Sequence, residues 1–377
     1  MQKKAIYLIQ EPGCLNPTSG AFQHIKMGLK HLEKEFEMIL YLGANSLELN
    51  KIESAIPTEF KNSNHITKRG HWIKGSIIDI LILLKTVYSI PKIYKILKKE
   101  SPKFIYERTS YLDFSGLIVS KLLGIPHFYE VNGLQFKSKK KYYASLFNPI
   151  VKYIEKQQYK NSNHTFFVGS YGNYWQLKSN NWTNVENGIE SEFITDHYPT
   201  KISDGKTHLV FVGSLMQHHR PDILKEAILL LNPDQFHFHL VGSKLDVLHK
   251  DLLEHSIPVT YHGFIKRNQL DALISQFHIG IIAGSPEYNS NMKLFDYALA
   301  HCAIVAANVD VLKTSFNEEL LFFEGGAIEL ANKINKLINN DLLVKKYANF
   351  IYNKVTNNFT WNKIFQKKTE TIKFNIQ

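Results

Sequence analysis

The sequence predicts an α/β protein made of two Rossmann-like halves, each with a parallel sheet. Short apolar runs of strand length recur along the 377 residues, amphipathic helical segments separate them, and a polar stretch divides the chain near its middle. Near-continuous apolar strands are typical of sheets that helices cover on both faces. A chain of this length usually forms more than one domain, since single cores stop growing near ~250–300 residues.

The first half alternates strands and helices in the order expected for right-handed crossovers between parallel strands. The strand-like runs are KAIYLIQ (4–10), EMILYLG (37–43), KFIYER (103–108), IPHFYEVNG (125–133) and HTFFVGS (164–170). The residues that share one helical face after the first run are Phe22, Ile25, Leu29 and Leu32. A long amphipathic helix is predicted over Gly75–Lys99 with a break near Pro91, and a third helix is predicted to end at Gly124.

The second half repeats this alternation after a polar linker, DHYPTKISDGKT (196–207), which contains proline and glycine. Its strand-like runs are HLVFVGS (208–214), FHFHLVGS (236–243), VTYHG (259–263), HIGIIAG (278–284) and AIVAA (303–307), with helices predicted between them. The tail after Asn339 is predicted to be helical and basic. Because ligands of doubly wound sheets bind at the carboxyl ends of the strands, we expect the ligand in a cleft between the halves.

The composition describes a globular protein with a basic surface, since charged residues make up 21% and the formal net charge is +11. This charge favours an anionic partner such as a nucleotide or a phospholipid surface. No nucleic-acid-binding motif is present, so nucleic acid is not an expected partner. Without a signal-peptide pattern or an apolar run of ~18 residues, we expect a cytoplasmic protein. Cys14 and Cys302 are too few for a disulfide framework or a zinc site.

Three loops at strand ends carry residues that could bind an anion, and none matches a dinucleotide, P-loop or metalloprotease motif. In NPTSGAFQH, Gly20 would let the backbone approach a ligand at the start of a helix. In GSLMQHHRPD, which begins at Gly213, His219 and Arg220 are expected to face the ligand. Arg220 could hold a phosphate through two hydrogen bonds.

The third loop, SPEYNSNMKLFD, leads into the helix that follows the strand at 278–284. Ser290 is predicted to cap this helix, so that the backbone amides of Asn291, Met292 and Lys293 are available to an anion. Lys293 adds a full positive charge. Asp296, nearly two turns beyond Ser290, suits hydrogen bonds from the hydroxyls of a ribose. This helix start could therefore hold a nucleoside diphosphate at two points.

Each of these features also has a simpler structural interpretation. Ser290 could serve only as a cap, and Lys293 with Asp296 could form an exposed i,i+3 pair. Arg220 could be an ordinary surface arginine, and Gly20 an ordinary turn residue. Their joint placement at strand ends of both halves favours the functional interpretation.

Five segments, in the same order along the chain, resemble those of glycosyltransferase family 4 and its relatives of the GT-B fold. They are NPTSGAFQHIKMGLKHL, YERTSYLDFSGLIVSKLLGIPHFYEVNG, VENGIESEF, VFVGSLMQHHRPDILKEA and NSNMKLFDYALAHCAIVAA. The resemblance implies two Rossmann-like domains whose parallel sheets face each other across a cleft. It also implies a C-terminal helix that crosses back to the N-terminal domain. The implied domains are 1–190 with the helix 358–377 for the acceptor, and 205–350 for the nucleotide-sugar donor.

The resemblance implies a retaining transfer from a nucleotide-diphosphate sugar, with no metal or other cofactor. It maps the diphosphate-binding helix start onto Ser290–Leu294 and the ribose-binding acid onto Asp296. The acid expected eight residues before Asp296 is replaced by Tyr288, and Glu287 lies one position away. The departure affects the carboxylate that contacts the sugar in the family.

Other family positions differ in charge. Ser214 stands in place of an arginine, and His219 aligns with a lysine, so the positive charge is expected from Arg220 together with Lys293. Asn132 occupies the place of a histidine on the acceptor side. If the transfer inverts, a base is needed, and Glu130 or Glu107 is the candidate.

These departures leave two alternatives open. One is a catalytically inactive GT-B scaffold, and the other is an inverting transferase or sugar-nucleotide epimerase of the same fold. The expected acceptor is a cell-surface glycan or glycolipid. Segment 135–160 interleaves lysines with aromatic residues, so it could lie on an anionic membrane and hold the protein at the inner face.

Overall fold

A computed structural model describes residues 3–16, 20–48, 72–140, 144–195 and 197–376, without the side chains of 138–140 and 267–268. Residues 17–19 of the first predicted loop and 141–143 of the predicted membrane segment lie outside the described residues. The chain divides into two compact units. Unit 1 comprises residues 1–185 and 365–377, and unit 2 comprises residues 186–364.

Unit 1 contains one mainly parallel sheet. Its strands are β1 (Lys3–Ile9), β2 (Phe36–Leu42), β3 (Asn45–Leu47), β4 (Ile105–Arg108), β5 (His127–Val131), β6 (His164–Val168) and β7 (Trp182–Val185). In the described part of the chain their order is β3-β2-β1-β4-β5-β6-β7, and only β3 runs antiparallel to its neighbour. The order reverses between β1 and β4, as in doubly wound folds. This confirms the parallel α/β architecture predicted for the first half.

The helices of unit 1 lie between these strands. They are α1 (Gly20–Leu32), α2 (Trp72–Glu100), α3 (Ser115–Leu123), α4 (Gln135–Lys140), α5 (Asn148–Asn161) and α6 (Tyr171–Trp175). Gly124 ends α3 in the left-handed conformation, with φ of 67°, as predicted. The predicted break near Pro91 is wrong, because α2 continues through it. Pro91 and Val87 both lie on the exposed side of α2, where a carbonyl that loses its amide partner can face water.

Unit 2 contains a second parallel sheet. Its strands are β8 (Thr207–Val212), β9 (Phe236–Val241), β10 (Val259–Tyr261), β11 (Ile279–Ile282), β12 (Ala303–Ala307) and β13 (Leu321–Phe323). Their order, β10-β9-β8-β11-β12-β13, is that of a Rossmann sheet and reverses between β8 and β11. Leu209 and Phe211 of β8 pack into one apolar cluster, whereas Val210 packs into another. Strands buried on both faces explain the continuous apolar runs in the sequence.

Unit 2 also contains most of the remaining helices. They are α7 (Pro221–Leu229), α8 (Asp246–Glu254), α9 (Arg267–Ile274), α10 (Met292–Leu299), α11 (Asp310–Ser315), α12 (Ala327–Ile338), α13 (Asp341–Asn358) and α14 (Trp361–Asn375). From Phe365 onward the residues of α14 belong to unit 1. None of the described helices combines the length and apolar character that crossing a bilayer would require.

Candidate active site

The carboxyl ends of β8 and β11 form the switch point of the unit 2 sheet. In folds of this order, ligands bind at the point where neighbouring crossovers go to opposite faces and leave a crevice. The chain leaves β8 at Gly213 and leaves β11 for the loop that leads to α10. The second and third predicted loops therefore meet at one edge of the sheet.

Gly213 makes room for this site. Its backbone has a φ of 153°, and a Cβ there would lie 3.0 Å from Nζ of Lys293 and 3.2 Å from the ring of His219. Gly242, at the end of the neighbouring strand, has a φ of 140°, and a Cβ there would lie 1.7 Å from the carbonyl oxygen of Gly213. A side chain at Gly213 would displace Lys293 and His219, whereas one at Gly242 would displace the backbone of Gly213.

Lys293 is the most unusual charge at this edge. Its side chain is 8% exposed, and within the described residues no hydrogen-bond acceptor contacts its ammonium. The ammonium instead lies over the face of Phe211, 4.7 Å from the ring centroid. Burial lowers the pKa of Lys293 to about 7, although the nearby charge of Asp296 opposes this shift. A buried cation without an acceptor is costly and is ready to bind an anion.

His219 lies beside Lys293 and is held in one orientation. Its Nδ1 lies 2.8 Å from the carbonyl oxygen of Ser214, so Nδ1 carries the hydrogen and donates it. Burial, followed by the charge of Lys293, lowers the pKa of His219 to about 4. At neutral pH the imidazole is uncharged, and Nε2 is left as its acceptor nitrogen.

The start of α10 differs from the prediction. The N-cap position is Asn291, without a side-chain cap, and the prediction that Ser290 caps the helix is wrong. The Ser290 hydroxyl instead accepts a hydrogen bond from the amide of Asn187, at 3.0 Å. The amides of Met292 and Lys293, in the first turn, have no carbonyl four residues earlier within the helix. They keep the predicted capacity to bind an anion.

Glu186 holds this helix start in place, and sequence reasoning missed its role. Its carboxylate accepts hydrogen bonds from the hydroxyls of Ser290 and Ser315, the latter at 2.7 Å. Burial raises the pKa of Glu186 to about 7, although these hydrogen bonds oppose the shift. Glu186 directly precedes the Asn-Gly pair of the VENGIESEF segment, which is the one signal that could have indicated it.

Tyr297 fixes the other end of the contact between α10 and the sheet. Its hydroxyl accepts a hydrogen bond of 2.8 Å from the amide of Val212, the last residue of β8. Its ring lies against Gly280 of β11, where a Cβ would approach ring atoms to 2.5 Å. The side chain thus ties α10 to both strands of the switch point.

The comparisons with known proteins agree with this geometry. Residues 220–368 match a family model described as glycosyl transferase-like. HepE of Anabaena, solved in complex with UDP and glucose, is 16% identical, with 99% of this chain and 100% of that chain covered and a TM-score of 0.66. A glycosyltransferase from Rickettsia africae ESF-5 is 15% identical, with full coverage of both chains and a TM-score of 0.70. The fold is GT-B.

A third GT-B structure, the apo form of the lipopolysaccharide outer core galactosyltransferase WaaB, is 12% identical. The match covers 98% of this chain and 99% of the WaaB chain, with a TM-score of 0.69. Comparison with curated protein sequences finds no match. The fold, together with the match of residues 220–368 to the glycosyl transferase-like model, confirms the resemblance that the sequence motifs indicated.

Three residues that the sequence predicts to act on the donor instead contact other parts of the protein. Arg220 has a left-handed backbone, with φ of 49°, and its side chain packs against Gly284 at the end of β11. Its guanidinium pairs with Asp222 at 2.7 Å and is 48% exposed. Leu294 is fully buried in the core, and its amide bonds to Asn291 at 3.2 Å, so it offers nothing to a donor. Glu287 accepts from the amide of Asp310 at the start of α11.

Asp296 lies where the resemblance placed it, on α10 one turn after Lys293. It is 4% exposed, and its charge raises the pKa of Lys293 against the effect of burial. The pair is therefore buried, and not the exposed i,i+3 pair that the simpler interpretation predicted. Its role toward a ribose stays a prediction.

Among the predicted site residues of unit 1, Gly20 is exposed, whereas Glu130 and Asn132 belong to one hydrogen-bonded cluster. Gly20 is exposed at the start of α1, with open space around it, which is compatible with a ligand approach. Glu130 is fully buried and pairs with Lys368 at 2.8 Å and with Arg108 at 2.9 Å. Asn132 donates to the same carboxylate at 3.2 Å.

These contacts make Glu130 a poor general base. Burial alone would raise its pKa, but the charges of Lys368, His24 and Arg108 outweigh this effect and hold the pKa well below its usual range. A carboxylate that stays ionised beside two cations has little tendency to take a proton. Glu107 is also buried, 2.6 Å from Nε2 of His127, and burial raises its pKa well above the usual range. Neither residue is suited to the role of a base at neutral pH.

Proposed function

We propose that this protein transfers a glycosyl group from a nucleoside-diphosphate sugar, and that unit 2 binds the donor. The observation that carries the proposal is the buried ammonium of Lys293, which lacks an acceptor among the described residues and lies at the switch point of a Rossmann sheet. A diphosphate would satisfy this ammonium together with the first-turn amides of Met292 and Lys293. The UDP complex of HepE, which has the same fold, supports this class of donor.

In the proposed mechanism, negative charge that develops on the leaving diphosphate is stabilised by groups that are already in place. Lys293 provides a full charge in a buried setting, where electrostatic interactions are strong. The dipole of α10 adds a partial positive charge at the same point. Because these groups can neutralise the diphosphate, we propose a transfer that needs no metal, and we expect activity to persist in a chelator.

Other residues would orient the donor. Asp296 is the proposed acceptor for hydrogen bonds from the ribose hydroxyls. Arg220 binds Asp222 through Nε and Nη2, so a phosphate held by both of these nitrogens would have to displace Asp222. Following the family resemblance, we propose retention of configuration, with no protein base in the acceptor site.

The proposed acceptor is a cell-surface glycan or a lipid-linked precursor at the cytoplasmic face of the membrane. Two observations support it: the net charge of +11 and the similarity to WaaB, a lipopolysaccharide galactosyltransferase. The proposal includes association with an anionic membrane surface, because lipid-linked substrates are held there.

The test is nucleotide binding by thermal shift and calorimetry with UDP, GDP, ADP, CMP and their sugars. We expect one nucleotide to raise the melting temperature, because a ligand that binds the native state stabilises it. Lys293→Met should weaken that nucleotide by about 10–100-fold, the value of a charge-assisted hydrogen bond. Lys250→Met, at an exposed lysine of α8, is the matched control and should bind as the wild type. Equal affinity in both variants would contradict the proposed donor site.

A second candidate is a GT-B scaffold that binds nucleotides without transferring sugar. It is favoured by the position of Tyr288 in place of an acid and by the engagement of Glu287 with the amide of Asp310. Release of free sugar or a glycosylated product from the stabilising donor would identify a transferase. Binding without any turnover, with acceptors supplied in membrane extracts, would identify the scaffold.

A further inference from the structure

The first half of α2 exposes its apolar side chains. Those that are at least 44% exposed are Trp72, Ile73, Ile77, Ile80, Leu81, Leu84, Val87 and Tyr88, which we call the apolar face of α2. With 3.6 residues per turn, all but Trp72 lie within an arc of about 120° over roughly 25 Å of helix. A contiguous apolar surface of this kind usually marks a site of interaction.

The opposite side of the same half carries the polar residues, and it packs on the protein. Asp79 accepts a hydrogen bond of 2.9 Å from the hydroxyl of Tyr111, and Thr86 donates to the carbonyl of Leu112 at 3.0 Å. Both polar side chains are 2% exposed. The helix is therefore oriented against the usual pattern, in which apolar residues face the core. These buried hydrogen bonds keep the apolar face outward.

The second half of α2 follows the usual pattern. Ile93 and Leu97 are buried in a cluster with Ile6 and Ile105 of the sheet. The inversion is thus confined to residues 72–88 and does not reflect a rotation of the whole helix.

Unit 1 exposes further apolar side chains, and one of them adjoins the start of α2. The amide of Leu146, which is 63% exposed, donates to the hydroxyl of Ser76 at 3.0 Å, so this loop adjoins the start of α2. Ile150 and Tyr153 of α5 are 54% and 64% exposed. Tyr153 also lines an apolar groove together with Leu122 of α3.

The charges around this surface indicate which kind of partner it would bind. Exposed lysines flank or follow the apolar face, namely Lys74, Lys85, Lys92, Lys95, Lys98 and Lys99. The acids of α2 are Asp79, which is buried, and Glu100, which pairs with Lys4 at 3.2 Å. An apolar strip bordered by cations is complementary to the boundary between acyl chains and anionic headgroups. A second copy of the same face would bring like charges together.

We propose that the apolar face of α2 lies in the surface of an anionic phospholipid bilayer, with the lysines of its second half on the headgroups. This inference rests on the membrane association proposed above and assigns its contact surface to α2. The helix lies along the bilayer, because its other side is hydrogen-bonded to unit 1.

The test is co-sedimentation of the full chain with phosphatidylcholine vesicles, with and without phosphatidylglycerol. We expect binding to the anionic vesicles, weakened by salt. Leu81→Gln with Leu84→Gln should reduce the partition coefficient at least tenfold, since both leucines are more than half exposed. The matched control is Val247→Gln with Leu253→Gln at exposed positions of α8, which should bind as the wild type. Trp72 is 51% exposed. We therefore expect the tryptophan emission of the wild type to shift to the blue when anionic vesicles are added, and the emission of Trp72→Phe to stay unchanged.

Three results would overturn the inference. They are no binding of the wild type to anionic vesicles, equal binding by the Leu81/Leu84 variant, and a concentration-dependent dimer that this variant abolishes. Binding of the stabilising nucleotide, measured on the same samples, separates the two proposals. If nucleotide binding is absent while vesicle binding depends on Leu81 and Leu84, the donor proposal fails and the assignment of the surface stands.

Discussion

Lys293 places its ammonium 4.7 Å from the centre of the Phe211 ring, on the face of an aromatic residue that β8 contributes to the core. This contact offsets part of the energetic cost of burying the charge. It also keeps the ammonium next to Gly213, at the edge of the sheet where a ligand can approach. Burial of the ammonium lowers the pKa of Lys293 to about 7.

Nucleotide binding should take up a proton at alkaline pH. At pH 8 most Lys293 is neutral in the free protein, and a bound diphosphate favours its charged form, so binding raises its pKa and recruits up to one proton. Calorimetry in two buffers of different ionisation enthalpy measures this uptake. Lys293→Met should show none. An uptake that is the same in wild type and variant would assign the proton to another group.

Glu186 should make stability depend on pH in a defined direction. Its pKa of about 7 in the folded protein is above the usual value of 4.5, so its contribution is present below pH 4.5 and is lost as pH rises through 7. Relative to Glu186→Gln, the wild type should lose unfolding free energy over this window. Denaturant titrations at several pH values measure the difference. Parallel curves for the two proteins would show that the pKa of Glu186 is the same in the folded and unfolded states, and would contradict the prediction.

A chain of hydrogen-bonded histidines should produce the opposite trend in unit 2. His208 lies 3.0 Å from the carboxylate of Asp204, so its Nε2 donates, and its Nδ1 accepts from His239 at 2.8 Å. His239 in turn accepts from Nε2 of His262 at 3.0 Å. Protonation of His239 would place a hydrogen on its Nδ1, which would then face the N–H group of His262 Nε2. Burial and then the charges of His237, His208 and His262 lower its pKa to about 3, and Asp204 opposes this shift.

The folded state therefore keeps His239 neutral, whereas the unfolded chain binds a proton near pH 6.5. We expect the unfolding free energy to fall as pH drops below 6.5, and less steeply in His239→Gln. His255→Gln, at a histidine that is 51% exposed, is the matched control and should keep the wild-type slope. Urea titrations between pH 7 and pH 4 provide the measurement, and an unchanged slope in His239→Gln would contradict the prediction.

Lys368 and Lys373 offer a direct comparison of a buried and an exposed ion pair on the same helix. Lys368 is 1% exposed and pairs with Glu130, whereas Lys373 pairs with Glu35 and both partners are about half exposed. Lys368→Met should lower the unfolding free energy by roughly 3 kcal/mol, because Glu130 is left buried with only part of its compensation. Lys373→Met should cost less than about 1 kcal/mol. Similar losses from both, measured in urea, would show that the buried pair adds little stability.

By itself the sequence determined the two parallel sheets, the order of most elements and the loop that carries Lys293, because apolar periodicity and strand-end loops are local patterns. Only the tertiary structure decided the partners of the polar residues. Ser290 bonds to Glu186, 104 positions away, and so does not cap its own helix. Glu130 is the counter-ion of Lys368, and the first half of α2 exposes its apolar residues. Such contacts join segments far apart in sequence, so no local pattern determines which groups meet.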